Sequence, residues 1–312
     1  MILKVFVTGA TGVLGRRVVD LLVDRGDLVY AIARTADKAD DLRAAGAQPV
    51  EVSLFDPAAL AEAFEGMDVA LNLATSIPPL SRAARTSAWD DNHRIRTVGS
   101  AAVATAAAKA GVTRLVQESL AFAYADGGDR WLDEDSQLDV PVHGVGILEA
   151  EGAIDRFRAD GGGVGIALRF GNFMGPDAAH TIDQLAMARR GLIPLMGDDG
   201  AWWPLIHTDD AASAVLAAVD GPGGVFNISA QPATRQQIAA AFAEVVERRR
   251  VRRPPTVLAR LGPAAGRMLA RSERVSSGRF RDATGWRPGR DDVGAILHAC
   301  LPARSDDDED TP

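Results

Sequence analysis

The sequence predicts a doubly wound parallel α/β sheet followed by a small, mostly helical C-terminal cap. Three observations carry that expectation. Short apolar runs alternate with segments whose apolar residues recur at helical spacing, from Lys4 to about Phe170. A glycine cluster separates the first run from the first helical segment. Beyond Arg169 the alternation gives way to chain rich in Gly and Pro, with isolated helices.

The elements follow in order. KVFVTG (4–9) is an apolar run ending in glycine, the first strand. VLGRRVVDLLVDRG (13–26) sets Val13, Leu14, Val18, Leu21 and Leu22 at helical spacing. DLVYAIAR (27–34) is the second strand, and TADKADDLRAAG (35–46) is a helix with Thr35 placed to cap it. PVEVSL (49–54) reads as the third strand, PAALAEAFEG (57–66) as a helix with proline in its first turn, and DVALNLA (68–74) as the fourth strand. A long alanine-rich helix from about Asp90 to Ala110 leads to RLVQES (114–119), the fifth strand. A helix over 146–160 and the strand GVGIALRF (163–170) follow. HTDDAASAVLAAVD (207–220) resumes a helix and VFNIS (225–229) a strand, while QQIAAAFAEVV (236–246) and DVGAILHACL (292–301) read as cap helices. The expected division is a dinucleotide-binding domain of 1–170 and 205–229 and a substrate-binding cap of 171–204 and 230–304, ending in a disordered acidic tail, 305–312.

Composition narrows the function. The chain has 312 residues, 47% of them hydrophobic, enough for a sizeable core. A formal charge of −8 argues against non-specific nucleic-acid binding. Arg248 to Arg250 with Arg252 and Arg253, and the acidic run Asp306–Asp310, read as solvated surface. The single cysteine, Cys300, excludes an internal disulfide and fits a reducing compartment. The N-terminus lacks a secretory pattern and no apolar run approaches ~18 residues, so a cytoplasmic protein without membrane contact is expected. The five histidines are scattered without metal-ligand spacing, so no metal site is expected. Nothing in the sequence fixes an oligomeric state.

Thr8-Gly9-Ala10-Thr11-Gly12-Val13-Leu14-Gly15 lies between the first strand and the first helix, where a dinucleotide phosphate loop belongs. Gly9 permits the tight turn, Gly12 lets backbone approach a pyrophosphate, and Gly15 lets helix pack on strand. Thr11, Val13 and Leu14 complete the loop and supply N–H groups at a helix N-terminus. The second strand ends Ala33-Arg34-Thr35, with Lys38 a turn later and no carboxylate in the ribose position. A guanidinium there suits a 2′-phosphate, so the expected cofactor is NADP(H).

With this loop the chain resembles the extended short-chain dehydrogenases/reductases of the NAD(P)-dependent epimerase/dehydratase group. The resemblance runs over nearly the whole length: Asn72-Leu73-Ala74 after the fourth strand, Asn92 in the long helix, AGVTRLVQES, LRFGNFMGP (168–176), IHTDD (206–210) and GWRP (285–288). It implies cofactor contacts from Leu54, Leu73, Ala74, Thr75, Asn92, Gly171, Asn172 and Phe173 as well as from the glycine loop, Arg34 and Lys38. The family carries a serine or threonine after the fifth strand and a Tyr-x-x-x-Lys on the next helix, followed four residues later by an acidic residue. Glu151 matches that acid, which puts Ile147 at the lysine position and His143 at the tyrosine position. Counting from Tyr124, the serine position holds Leu120, with Ser119 just before it.

Two functional classes remain open at this point: an NADP-binding regulatory protein that has lost its chemistry, and an atypical reductase with another proton source. The second is preferred. His143, acting as imidazolium, is the candidate proton donor, since an unperturbed histidine titrates near ~6.5. Ser119, Thr75 or Ser76 is the candidate group to orient a carbonyl, with Ser76 facing the substrate. A substrate hydroxyl or a bound water is the alternative donor. Nucleotide-sugar members resemble one another in an arginine three residues before the isoleucine of IHTDD, and that position holds Trp203. The indole suits a flat apolar substrate, or else anchors the cap. The expected activity is therefore NADPH-dependent reduction of a ketone on a bulky apolar or aromatic small molecule. Nucleotide-sugar epimerisation or dehydration is the other enzymatic alternative.

Overall fold

The computed structural model describes residues 1–79, 81–83, 85–140, 144–255 and 264–301. His143 and the tail 305–312 lie outside the described residues. From the N-terminus, β1 (Lys4–Thr8), α1 (Val13–Asp24), β2 (Leu28–Ile32), α2 (Ala36–Ala44), β3 (Gln48–Val50), α3 (Pro57–Ala63) and β4 (Val69–Asn72) alternate without a break. Then come α4 (Asp90–Arg94), a π-helical turn (Ile95–Gly99), α5 (Ser100–Lys109) and β5 (Arg114–Leu120). After the two-residue β6 (Trp131–Leu132), α6 (Val145–Ala159) leads into β7 (Val164–Phe170). The later chain gives β8 (Asn172–Met174), α7 (Ala179–Arg189), β9 (Trp202–Trp203), β10 (Leu205–His207), α8 (Thr208–Asp220), β11 (Gly224–Ile228), β12 (Ala233–Thr234) and α9 (Arg235–Val245).

The seven-stranded sheet is parallel throughout, in the order β3-β2-β1-β4-β5-β7-β11. That is the doubly wound arrangement, with the order reversing at β1 and β4 and the strands' C-terminal ends sharing one edge. One face packs against α1 and α8 through Val5, Val18, Leu22, Val116, Ile206 and Val215. The other packs against α3, α5 and α6 through Phe6, Leu60, Phe64, Val103, Ile154 and Phe157. Side chains of one strand alternate between these two clusters, and both faces are apolar because both are covered.

A second core lies beyond the sheet edge. Phe122, Leu185, Ile193, Trp203, Ile238, Phe242, Ile296 and Leu297 cluster there, bringing α7, α9 and the helix Val293–His298 together. GWRP and IHTDD dock on each other: Asp210 accepts from the backbone N–H groups of Gly289 (2.8 Å) and Arg290 (3.1 Å), and the Trp286 indole donates to Ser213 (2.9 Å).

The structure corrects two expectations about elements. The third strand is Gln48–Val50 rather than 49–54, because it pairs only with β2 and β2 ends at Ile32, opposite Val50. The long alanine-rich helix is interrupted: after a 3-10 turn (Thr86–Trp89), the π-helical turn separates α4 from α5. No described helix is long and apolar enough to cross a membrane.

Candidate active site at the sheet edge

The glycine loop closes in the way its spacing requires. Gly9 has φ +71°, a conformation side chains disfavour, and a Cβ on it would lie 2.6 Å from the Leu73 carbonyl. Gly12 donates to the Gly9 carbonyl (3.0 Å), and a Cβ there would meet only that oxygen, at 3.2 Å, with the far side open. Gly15 is pressed on Gly9 and Ala10 so tightly that a Cβ would overlap the Gly9 carbonyl oxygen. Helix α1 has no side-chain cap and no acidic residue in its first turn, so its leading N–H groups and positive dipole end remain for an anion. Thr11 and Val13 are half-buried beside the loop, while Leu14 anchors it in the core. Loop and helix end thus fit a dinucleotide pyrophosphate.

Arg34 is exposed where β2 ends. Thr35 caps α2 by accepting from the Lys38 N–H (3.4 Å), with Lys38 in the first turn of that helix. Leu54 packs on Gly99, where a Cβ would meet its Cδ2 at 3.0 Å, and the Arg94 guanidinium lies 3.9 Å from the Phe55 ring centroid. The segment after β3 is therefore locked to the helix after β4. Beyond β4, Leu73 is buried against the glycine loop, Ala74 and Ser76 are half-buried, and Thr75 is exposed. The Ser76 N–H donates to Asn92 Oδ1 (3.0 Å), so Asn92 holds this segment in place.

At the end of β5 the placements depart from expectation. Ser119 is fully buried and its hydroxyl donates to Glu151 Oε1 (2.7 Å). Glu151 also accepts from Arg169 Nε (2.8 Å) and Nη2 (2.7 Å), and Arg169 donates to the Tyr124 hydroxyl (2.9 Å), which donates to Asn227 Oδ1 (2.7 Å). Ser119, expected to orient a carbonyl, is instead committed to this polar chain joining β5, α6, β7 and β11, because its strand position turns it toward α6. Burial opposes the Arg169 charge, but the hydrogen bonds and charge of Glu151 outweigh it and raise its pKa. Burial pushes the Tyr124 hydroxyl up to about 12, so it remains protonated. At the two other counted positions, Leu120 is half-buried and Ile147 is buried on α6.

A second buried pair went unnoticed in the sequence. Arg96, in the π-helical turn, donates from Nη2 to both carboxylate oxygens of Glu118 (2.9 and 2.7 Å). Burial raises the Glu118 pKa and the Arg96 charge opposes the rise. The available signal was Glu118 itself, a carboxylate inside a strand buried on both sides.

On the cap side, Gly171 is buried with its N–H bonded to Ile228 O (2.9 Å), Asn172 pairs in β8 with β10, and the Phe173 ring sits 5.2 Å from Phe170. Trp203 is 7% exposed, stacked on Phe122 (centroids 4.7 Å, 27°), with the Arg235 guanidinium 4.8 Å from its ring. Of its two expected roles, it occupies the place of the anchor. The arginine run lines a groove of about 880 Å³ against α9, which shares no lining residue with the glycine loop or the β5 end.

Comparison with known proteins decides the family. The sequence model of the NAD dependent epimerase/dehydratase family matches residues 5–229. The chain belongs to this family. Among curated members and relatives it is 32% identical over 299 residues to a 3-diazoavenalumate denitrifying reductase of Streptomyces sp, covering 92% of this chain and 96% of that one. It is also 32% identical over 229 residues to a 4-hydroxy-2-methyl-3-oxo-4-farnesyl-3,4-dihydroquinoline-1-oxide ketoreductase of Stigmatella aurantiaca, covering 71% of this chain and 66% of the relative. Among solved structures, the human epimerase family protein SDR39U1 (isoform 2) with NADPH shares the fold. Its TM-score is 0.75 and its identity 23%, over 95% of this chain and 99% of that one. The family's two motifs LRFGNFMGP and IHTDD pair here as neighbouring parallel strands, β8 and β10.

Proposed function

We propose that this family member is an NADPH-dependent reductase of a carbonyl on a bulky apolar or aromatic small molecule. The observation that carries the reading is the pair of features at the cofactor edge: a glycine loop with no room for side chains at Gly9 and Gly15, and Arg34 exposed just past the end of β2. Gly9, Gly12 and the first turn of α1 would hold the pyrophosphate, Arg34 and Lys38 the 2′-phosphate, and Leu73, Ala74 and Asn92 the segment facing the nicotinamide. When bound, the reduced nicotinamide supplies a hydride. The two relatives named as reductases support this class of reaction over epimerisation, and Trp203 in place of an arginine weakens the case for a sugar diphosphate. His143 is the proton donor in this reading, and the cap of 171–204 and 230–304 encloses the substrate. We place the protein in the cytoplasm, with a small molecule rather than nucleic acid or membrane as its partner.

One observation favours a second acceptor. The Streptomyces relative, matched over nearly its full length, is named for removing nitrogen from a diazo compound. Hydride addition to an arenediazonium ion gives the arene and dinitrogen, so charge and atoms balance without a proton. Leu120 and Ile147 in place of the family's serine and lysine cost such a reaction little, whereas loss of a general acid slows ketone reduction by ~10²–10⁴. The test is NADPH consumption against a panel of aromatic ketones and arenediazonium salts, with unmodified protein and His143→Phe. Turnover of a ketone that drops in His143→Phe supports the first reading, and diazonium turnover indifferent to the substitution supports the second. NADPH left intact by the whole panel rejects both and leaves a cofactor-binding protein without this chemistry.

A further inference from the structure

We propose that Arg96, gripped by Glu118, is the cationic group that binds the nicotinamide-ribose end of the dinucleotide, the task for which the family has a lysine and this chain has Ile147. The inference rests on the cofactor reading above and adds a residue to it.

Arg96 is 3% exposed, and Glu118 engages only its Nη2, from both carboxylate oxygens. Nε and Nη1 are buried with no hydrogen-bond partner among the described residues. An arginine placed only to neutralise a carboxylate pairs two of its nitrogens with two oxygens, side by side. Here one nitrogen takes both oxygens, and three charged N–H bonds are left with no acceptor among the described residues. Buried donors are nearly always satisfied, so such a group calls for a ligand that supplies the oxygens.

The surroundings say which ligand. Arg96 lies one turn beyond Asn92, whose side chain fixes the Ser76 backbone after β4. Its partner Glu118 stands at the C-terminal end of β5, two residues before Leu120. Its stem runs against the first turn of α6, where a Cβ on Gly146 would meet Arg96 Cβ at 3.2 Å and Cδ at 3.7 Å, one residue before Ile147. The guanidinium thus sits between the C-terminal end of β5 and the start of α6, the two elements that carry the counted Ser and Lys positions, with Asn92 one turn before it on α4. The backbone is also adapted to it: Arg96 belongs to a π-helical turn, a departure from α-helix common at functional sites. Ribose hydroxyl oxygens are acceptors that a charged, pre-oriented donor fork binds well.

The test is titration with two ligands that share the adenosine half: NADPH and adenosine 2′,5′-bisphosphate, or NADH and ADP if the protein favours NADH. Arg96→Met should weaken the intact dinucleotide about tenfold or more, the loss of a charge-assisted hydrogen bond. The fragment, which lacks the nicotinamide ribose, should bind as before, and Arg96→Lys should recover part of the dinucleotide affinity. If the lone Glu118 unfolds Arg96→Met, the double variant Arg96→Met/Glu118→Leu removes both charges together and serves in its place. Unchanged dinucleotide affinity, or an equal fall for dinucleotide and fragment, overturns the inference. Because the readout is binding, it stands apart from whether any acceptor is reduced.

Discussion

The proposed cofactor preference rests on one residue, Arg34. It is exposed at the end of β2, and no carboxylate pairs with it among the described residues. We expect NADPH to bind at least about tenfold more tightly than NADH, a difference of roughly 1.4 kcal/mol. Arg34→Asp should shrink or reverse that ratio, read from dissociation constants for both cofactors; equal constants in the unmodified protein would sink the idea. The glycines were legible because a strand–turn–helix unit fixes their surroundings locally. Ser119 was not, because the direction of a side chain near a strand's end is settled by what packs above it, and here Glu151, itself held by Arg169, accepts from the hydroxyl. Arg96 was hidden for a similar reason: a π-helical turn shifts the helical face, so counting in steps of three and four misplaces it.

Among the elements, α9 carries a capping box that can be measured by itself. Thr234 accepts from the Gln237 N–H (3.2 Å) while the Gln237 side chain accepts from the Thr234 N–H (2.8 Å). Thr234→Ala should cost about 1 kcal/mol, and amide exchange in α9 through local opening should quicken about fivefold. Unchanged exchange there would show that Ile238 and Phe242, packed in the second core, hold the helix without its cap. The strands and helices of the sheet were readable since each declares its period within a few residues. The two-stranded pieces were not: β9 with β12, and β6 with Arg274–Val275, pair segments remote in sequence and only two residues long. Their pairing is set by how the cap folds back, which no local pattern records.

For the molecule as a whole, the cap's interior carries a charge problem with a pH signature. Glu273 is fully buried and neither carboxylate oxygen has a hydrogen-bond partner among the described residues. Burial pushes its pKa well above the usual carboxylate value, and the Arg235 and Arg271 charges only partly offset this. Burial also lowers the neighbouring Arg235 to about 10, so desolvation outweighs pairing for both partners. The folded state therefore prefers Glu273 protonated, while the unfolded chain releases that proton above ~4.5. Stability contributed by the protonated group is complete below that value and declines as pH rises toward the folded pKa. Glu273→Gln should thus raise the thermal midpoint relative to the parent at pH ~8 and bring little gain near pH ~4. A constant difference across that range would contradict the assignment.

The parallel, doubly wound sheet was open to reading from the sequence because right-handed βα units leave few alternatives. The cap's closure was not, since it depends on Trp203, Phe122 and Arg235 meeting from distant segments. The proposed function rests on one act, the passage of hydride from cofactor to an aromatic acceptor. NADPH deuterated at C4, incubated with the protein and an acceptor that consumes it, tests this directly by mass spectrometry of the product. The account predicts one deuterium in the product, at the former carbonyl carbon of a ketone or the ring carbon that bore nitrogen in an arenediazonium ion. Product without deuterium from either C4-labelled face of the cofactor would contradict it.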